Sequence, residues 1–227
     1  MYDPFLPGRF TVGERSTQAF DAARNRSFPC DIWRPTEPVE ICPIILLSHA
    51  SGGGGRRGYT FLSNHLASHG YIVAALNHSE LVAPELVHRD GETPEQRAAR
   101  TEAAIASRVP DIRFLHNYVL SEAQVKPAPV GIVGHSFGGW TALAAPDAVH
   151  QIQAVVALAP GGSSNPRPGI LPGKLAFKWG RDVPTFLLVA DNDVCLPIDG
   201  MYEIFERIPA TKTHDRSSPR RPYAFHG

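Results

Sequence analysis

The sequence predicts an α/β fold in which a mostly parallel β-sheet is flanked by helices. Short apolar runs recur along the chain without alternating with polar residues, as in Ile44–Leu47 and Val130–Val133. Such runs are typical of parallel strands that are buried on both faces. Segments of helical character lie between them, and strands that alternate with helices favour a parallel sheet.

The individual elements follow from these patterns. The predicted strands are Ile44–Leu47, Tyr71–Leu76, Val130–Val133, Ala154–Leu158 and Thr185–Ala190, with Ile32–Arg34 as an earlier edge strand. The predicted helices are Tyr59–His69, Pro94–Ser107 continuing to Asp111–Leu120, Gly139–Ala145 and Asp199–Arg207. Two loop segments, His78–Thr93 and Gly161–Gly180, follow strands. We expect both beyond the carboxyl ends of the strands, as walls of a substrate pocket.

Length and charge limit the class of protein. The chain has 227 residues, with 22 basic and 22 acidic side chains, so it lacks the field expected of a nucleic-acid binder. We predict one domain over residues 1–212 and a disordered tail over residues 213–227. The apolar runs fall short of the roughly 20 residues that a membrane span needs. A small molecule is therefore the expected partner.

Cysteines and histidines give no indication of a metal or cofactor. Cys30, Cys42 and Cys195 are far apart and fit neither a metal site nor a disulfide framework. We expect buried, reduced thiols and a cytoplasmic location. His65 and His69 are four residues apart on a predicted helix, but no glutamate follows His65 and no third ligand is evident.

The motif Gly134-His135-Ser136-Phe137-Gly138 carries the strongest chemical information. It follows a predicted strand and precedes a predicted helix, which is the context of a nucleophile elbow. A turn this tight admits only small residues two positions before and after the serine. It would expose the Ser136 hydroxyl and leave the Phe137 amide free to donate to an oxyanion.

The glycine-rich segment 49–55 directly follows another predicted strand. In hydrolases with the elbow, this loop lends a second backbone N–H to the oxyanion hole. Ser51 is our assignment for that amide, with Ala50 as the alternative. Arg56 and Arg57 also suggest a phosphate cradle, but the Gly-Lys-Ser/Thr of a P-loop is missing. His49 is interpreted as a residue that orients the loop.

Asp193 is the predicted catalytic acid, with Asp191 as its competitor. Both follow the strand Thr185–Ala190, and the acid comes after the serine in this arrangement. Its carboxylate would fix the tautomer of a histidine and stabilise the imidazolium. His78 follows a different strand and is a candidate for lining the pocket.

These motifs resemble α/β-hydrolases of the dienelactone-hydrolase-like type, close to the platelet-activating-factor acetylhydrolase-like branch. The matching stretches are Leu47–His49 with the glycines that follow, Leu66–Ala75, Val130–Gly139 and Leu187–Pro197. The resemblance implies a serine esterase that acts on small or acyl esters without a cofactor. Dienelactone hydrolases themselves have cysteine where this chain has Ser136, and Ala50 stands where the family usually has glycine.

The C-terminal segment departs from the family pattern. The resemblance implies one more apolar strand after the last helix and then a loop with the catalytic histidine. Residues 213–227 have no strand pattern and contain Pro219 and Pro222, so we expect the sheet to lack its last strand. His214 is assigned as the base, His226 is the alternative, and a chain without a base is the remaining possibility.

A shift of reading frame would account for this departure. One possible codon string for Asp215–Gly227, read one base later, encodes Ile-Val-Leu-Arg-Arg-Ala-Asp-His-Met-His-Phe-Met. That product is a strand followed by a histidine-bearing loop. We therefore hypothesise a frameshift or a sequencing error, which the nucleotide sequence of the gene tests.

Overall fold

A computed structural model describes residues 3, 5–52, 54–123 and 128–209. The strands are β1 (Val12–Asp21), β2 (Arg26–Pro35), β3 (Ile44–Ser48), β4 (Ile72–Leu76), β5 (Val130–His135), β6 (Ile152–Leu158) and β7 (Thr185–Leu188). The helices are α1 (Thr60–Ser68), α2 (Ser79–Val82), α3 (Pro94–Ala123), α4 (Phe137–Ala144) and α5 (Ile198–Arg207). Short 3₁₀ turns lie at Gly55–Arg57 and Ala145–Asp147.

The described strands form one sheet in the order β1-β2-β4-β3-β5-β6-β7. β2 is antiparallel to both β1 and β4, and all other neighbouring pairs are parallel. The predicted mostly parallel sheet with flanking helices is therefore confirmed. The prediction that its last strand is missing, and that residues 213–227 form a tail, lies outside the described residues.

The edge-strand prediction is wrong. Ile32–Arg34 is part of β2, an inner strand that pairs with β4 on one side and with β1 on the other. The edge is formed by β1, a strand that was not predicted. Most β1 side chains are exposed or half-buried, so the strand is polar and lacks the apolar run by which the other strands were found.

Apolar side chains cover both faces of the central strands. Consecutive β3 residues Leu46 and Leu47 are both buried, but they belong to separate clusters on opposite faces. The Leu46 cluster includes residues of α3, α4 and α5, and the Leu47 cluster includes residues of α1. Burial on two faces explains why these strands do not alternate with polar residues.

Helix α3 is one continuous helix despite Pro110 in its interior. Its buried side chains include Ile112, Leu115 and Val119, and also the charged residues Arg108 and Asp111. None of the helices within the described ranges combines the length and the hydrophobicity required to cross a membrane.

The direction in which successive strands are added to the sheet reverses at β3. β4 lies next to β3 on one side, whereas β5 lies next to β3 on the other side and is followed by β6. Ser48 at the end of β3 pairs with Gly134 near the end of β5. Two loops therefore leave neighbouring strands at the same level and diverge, which is the position where open α/β sheets bind ligands.

Candidate active site

Ser136 occupies a strained turn between β5 and α4. Its φ and ψ angles are 55° and −115°, a combination that residues other than glycine rarely adopt. Its carbonyl oxygen accepts hydrogen bonds from the amides of Trp140 at 3.0 Å and Gly161 at 3.1 Å. The side chain is half-buried. Backbone strain of this kind persists only where the surroundings enforce it, and it concentrates at functional sites.

The glycines two residues before and after Ser136 are sterically required. A Cβ atom on Gly134 would lie 2.0 Å from the carbonyl oxygen of Gly138. A Cβ atom on Gly138 would lie 2.0 Å from the carbonyl oxygen of Ser48 and 2.7 Å from that of His49. Gly138 therefore permits the tight turn and also lets the elbow touch the end of β3.

Phe137 is the first residue of α4 and is buried. Amides in the first turn of a helix have no acceptor within the helix, so the Phe137 N–H is available to a substrate oxygen. The structure thus places the predicted nucleophile and the first predicted oxyanion donor in adjacent positions on one strand-to-helix turn.

The loop after β3 carries the second predicted oxyanion donor. Ala50 is half-buried and Ser51 is exposed. His49 is buried beneath them, with Nδ1 2.7 Å from the carbonyl oxygen of Ala50 and Nε2 accepting the N–H of His78 at 3.0 Å. His49 therefore orients this loop, in agreement with its interpretation from the sequence.

Glycines allow the next part of the loop to turn sharply. Gly52, Gly54 and Gly55 have φ angles of 90°, 89° and 48°, in the left-handed region that glycine adopts without steric penalty. The following Arg56 and Arg57 both form ion pairs with the buried Asp31 of β2, at 2.9 Å and 3.1 Å. These contacts tie the loop to β2 and account for both arginines without a phosphate.

A buried polar chain lies behind the oxyanion loop. The Ser48 hydroxyl lies 2.8 Å from His78 Nε2, and His78 Nδ1 lies 3.1 Å from Asp111 Oδ2. These three residues have the order of a catalytic triad, but all are almost completely buried. Substrate has no access to Ser48, so this chain supports the loop. The prediction that His78 lines the pocket is wrong.

Arg108 of α3 contacts this group of buried polar residues. Its Nη1 donates to the carbonyl oxygen of His49 at 2.7 Å, and its Nη2 donates to Glu80 of α2. Its guanidinium carbon lies 4.0 Å from the centre of the Phe137 ring, in a cation–π contact. The guanidinium therefore touches the oxyanion loop and the elbow together.

Arg108 and Asp111 are not predicted from the sequence. Along α3, the buried positions 104, 108, 111, 112, 115, 116 and 119 recur at helical spacing, so both charges occupy the mainly apolar face of the helix. A charged residue on such a face is the pattern that could have identified them, because unpaired charges are not tolerated in a core.

Asp193 lies in the loop between β7 and α5 and is half-buried, whereas Asp191 is exposed. Its Oδ1 accepts the backbone N–H groups of Cys195 at 2.8 Å and Leu196 at 2.9 Å. Among the described residues, no hydrogen bond engages its Oδ2, which leaves that oxygen for a histidine. This geometry favours Asp193 over Asp191 as the candidate acid.

A cavity of about 410 Å³ adjoins the Asp193 loop. One wall is the segment 162–170, within the predicted excursion Gly161–Gly180, and the other is formed by residues 195–203. Arg167 donates to the carbonyl oxygen of Val194, the residue before the second wall, at 2.7 Å. The other predicted wall, His78–Thr93, does not line this cavity.

No histidine of the described part of the chain forms a hydrogen bond with the Ser136 side chain. His49 and His78 are buried in the polar chain, and His135 Nδ1 lies 2.7 Å from the Tyr59 hydroxyl. The assigned base His214 and its alternative His226 lie outside the described residues.

The cysteines differ in their exposure. Cys30 is buried, and burial raises its pKa to about 12, but Cys42 is half-buried and Cys195 is exposed. The prediction that all three are buried is therefore wrong. Within residues 3–209 as far as they are described, no cluster of His, Cys, Asp and Glu has the arrangement of a metal site.

The fold and this arrangement define an α/β hydrolase. A model of the alpha/beta hydrolase family matches residues 44–225, and the chain belongs to that family. The assignment made from the sequence is thereby confirmed. A comparison with curated protein sequences gives no match.

Solved structures share the fold at low sequence identity. A putative dienelactone hydrolase from Klebsiella pneumoniae is 16% identical with a TM-score of 0.64, and the alignment covers 86% of this chain and 80% of that chain. A ferulic acid esterase from Streptomyces cinnamoneus is 22% identical with a TM-score of 0.68, over 91% and 74% of the two chains. A cold-adapted esterase from an Arctic intertidal metagenomic library is 18% identical with a TM-score of 0.64, over 88% and 80%.

The buried histidines make stability depend on pH. Burial lowers the pKa of His49 to about 2 and holds that of His78 below its usual value, with the nearby Arg108 charge acting in the same direction. Unfolded histidines titrate near about pH 6.5, so below this pH the unfolded chain binds protons that the folded chain does not. We expect full stability above about pH 6.5 and a loss, for each histidine, of up to about tenfold in the folding equilibrium constant per pH unit below it.

Urea unfolding between about pH 7.5 and pH 5 measures this slope. A His49→Gln variant removes one of the two groups and should show a shallower decline than the parent chain. Equal slopes for the two proteins would contradict the assignment of His49 as a buried neutral histidine.

Proposed function

We propose that this chain is a serine hydrolase that cleaves carboxylic esters through an acyl-enzyme intermediate. The observation that carries the proposal is the conformation of Ser136, whose φ of 55° is maintained between two glycines that admit no Cβ atom. The similarity in fold to a ferulic acid esterase and a cold-adapted esterase supports an ester substrate.

The proposed reaction uses the residues at the ends of β3, β5 and β7. The Ser136 hydroxyl attacks the acyl carbon, and a histidine accepts its proton and passes it to the leaving alcohol. The amides of Phe137 and Ser51 stabilise the oxyanion, and Asp193 orients the histidine. Water then releases the acyl group. No cofactor or metal takes part in this scheme, and the substrate is a small-molecule ester.

His214 is the proposed base. The family match runs to residue 225, so it includes His214 and ends before His226. The alternative is a catalytically impaired, hydrolase-like protein without a triad histidine. This alternative has a specific observation in its favour, because none of the histidines in the described ranges bonds to Ser136.

Replacing the nucleophile tests the proposal directly. We expect the parent chain to hydrolyse p-nitrophenyl acetate and to be labelled by a fluorophosphonate at Ser136. Ser136→Ala should abolish labelling and lower kcat by about 10³-fold or more, since a triad without its nucleophile retains only binding and oxyanion stabilisation. The control is Ser121→Ala, at an exposed serine near the end of α3. Labelling that persists in Ser136→Ala would refute the assignment.

The two aspartates after β7 are distinguished by conservative substitutions. Asp193→Asn retains an oxygen that can accept the N–H groups of Cys195 and Leu196, so the loop is preserved and only the charge is lost. We expect kcat to fall by about 10³- to 10⁴-fold. Asp191→Asn, at an exposed position, should change kcat by less than about threefold. A larger effect at Asp191 would reverse the assignment.

The base is tested in the last segment of the chain. We expect His214→Ala to lower kcat by about 10³-fold or more, and His226→Ala to leave it unchanged. A second protein, called the comparison protein, is tested beside the parent chain. In it, the residues from Asp215 onward are replaced by the sequence of the shifted reading frame, Ile-Val-Leu-Arg-Arg-Ala-Asp-His-Met-His-Phe-Met.

The impaired alternative makes a different prediction from the same proteins. It requires the parent chain to be almost inactive and the comparison protein to be active. Equal activity in both would show that the parent chain already contains its base.

A further inference from the structure

Two peptide groups of the oxyanion loop are held by side chains. The carbonyl oxygen of His49 accepts Arg108 Nη1 at 2.7 Å, and the carbonyl oxygen of Ala50 lies 2.7 Å from His49 Nδ1. Each peptide unit is planar, and these are trans, so the N–H of the next residue points away from the held oxygen. Arg108 thus fixes the direction of the Ala50 N–H, and His49 fixes that of the Ser51 N–H.

The protonation of His49 is set by its second contact. His49 Nε2 accepts the backbone N–H of His78, so the proton of this neutral ring resides on Nδ1 and is donated to Ala50. Arg108 also acts on His49, because it donates a hydrogen bond to the backbone carbonyl oxygen of His49. The position of the His49 backbone therefore affects both candidate donors, Ala50 N–H and Ser51 N–H.

Arg108 also reaches the other half of the proposed oxyanion hole. Its guanidinium stacks on the ring of Phe137, whose amide is the first donor, at 4.0 Å. The same group holds Glu80 at the start of the segment after β4. One rigid, planar cation thus fixes the position of the loop after β3 relative to the elbow after β5.

We propose that Arg108 is a positioning residue that aligns the second oxyanion donor with the Phe137 amide. The proposal rests on the ester hydrolysis proposed above and adds a residue that does not touch the substrate. Arg108 acts through the His49 carbonyl and the Phe137 ring, and the reacting group it serves is the tetrahedral oxyanion of an ester.

Stability alone does not account for this arginine. Its Nε and the Oε2 atom of Glu80 are buried without a hydrogen-bond partner among the described residues. Buried ion pairs are often no more stabilising than apolar side chains of the same volume, and unsatisfied atoms weaken them further. The contacts that the pair does make are directed at the two loops of the site.

The test compares p-nitrophenyl acetate with p-nitrophenyl thionoacetate, in which sulfur replaces the carbonyl oxygen. Sulfur accepts hydrogen bonds poorly, so an aligned oxyanion hole favours the oxygen ester. The measured quantity is the ratio of kcat/KM values for the two substrates. Because it compares two substrates on one protein, a loss of folded enzyme cancels from it.

The variants separate positioning from folding. Arg108→Met combined with Glu80→Gln avoids an uncompensated buried charge, and Arg108→Lys retains a donor without the planar fork. We expect the double variant to lower the ratio by about tenfold or more, mainly through kcat on the oxygen ester, and Arg108→Lys to restore part of it.

Arg181→Met is the matched control. Arg181 also donates to backbone carbonyl oxygens, among them those of Pro146 and Ile152, but Ile152 is the first residue of β6 and so lies at the end of the strands opposite the site. The ratio should not change in this variant. If the Arg108 variants lower both rates equally, or if Arg181→Met changes the ratio as much, Arg108 is a structural residue only.

The outcomes distinguish this proposal from the proposed function. The ratios are measured on whichever chain turns over, the parent or the comparison protein with the alternative C-terminal sequence. Fluorophosphonate labelling with an unchanged ratio overturns the role of Arg108 and leaves the esterase proposal standing. Absence of labelling and turnover in both chains overturns the esterase proposal, and with it the reaction that Arg108 would serve.

Discussion

The close approach of Gly138 to the carbonyl oxygens at the end of β3 is the constraint on which the site depends. Adjacent parallel strands lie about 4.8 Å apart, and Ser48 pairs with Gly134 across β3 and β5. The elbow folds back over this pair, and there is no space for a Cβ atom between its backbone and that of β3. The register of the sheet therefore sets the position of Ser136, the proposed nucleophile, relative to the loop after β3.

This close approach leaves backbone carbonyl groups buried at the end of β3. The buried charged residues are part of the network that supplies their hydrogen bonds. Carbonyl oxygens at a strand end need donors when water is excluded. Arg108 supplies one to His49, and the His49 ring supplies one to Ala50. Asp111 in turn accepts from His78, Ser79 and Arg24, so the network continues from α3 to the turn between β1 and β2. Charges on the core face of a helix are thus explained by the loops they support.

The sequence was sufficient to predict those parts of the structure that a local pattern of residues determines. The central strands and the elbow were predicted because apolar runs and glycine spacing report burial and steric demand directly. β1 was missed because an exposed edge strand has the composition of a loop, and the role of Asp31 depends on arginines about 25 residues away. The polar chain of Ser48, His78 and Asp111 was missed for the same reason, since its members come from three elements that only the tertiary fold assembles.

The strand order also determines from which side a base must reach Ser136. His49 and His78 follow β3 and β4, whereas Asp193 follows β7, and β5 with its serine stands between these two groups in the sheet. An imidazole that contacts both Ser136 and Asp193 must therefore enter from the β6–β7 side. On that side the chain continues from Asp193 into α5, which packs its buried residues Met201 and Ile204 against the core. His49 and His78, on the loops after β3 and β4, stand on the other side of β5, so the proposed mechanism needs a histidine from elsewhere in the chain, such as His214, which follows α5 in the sequence.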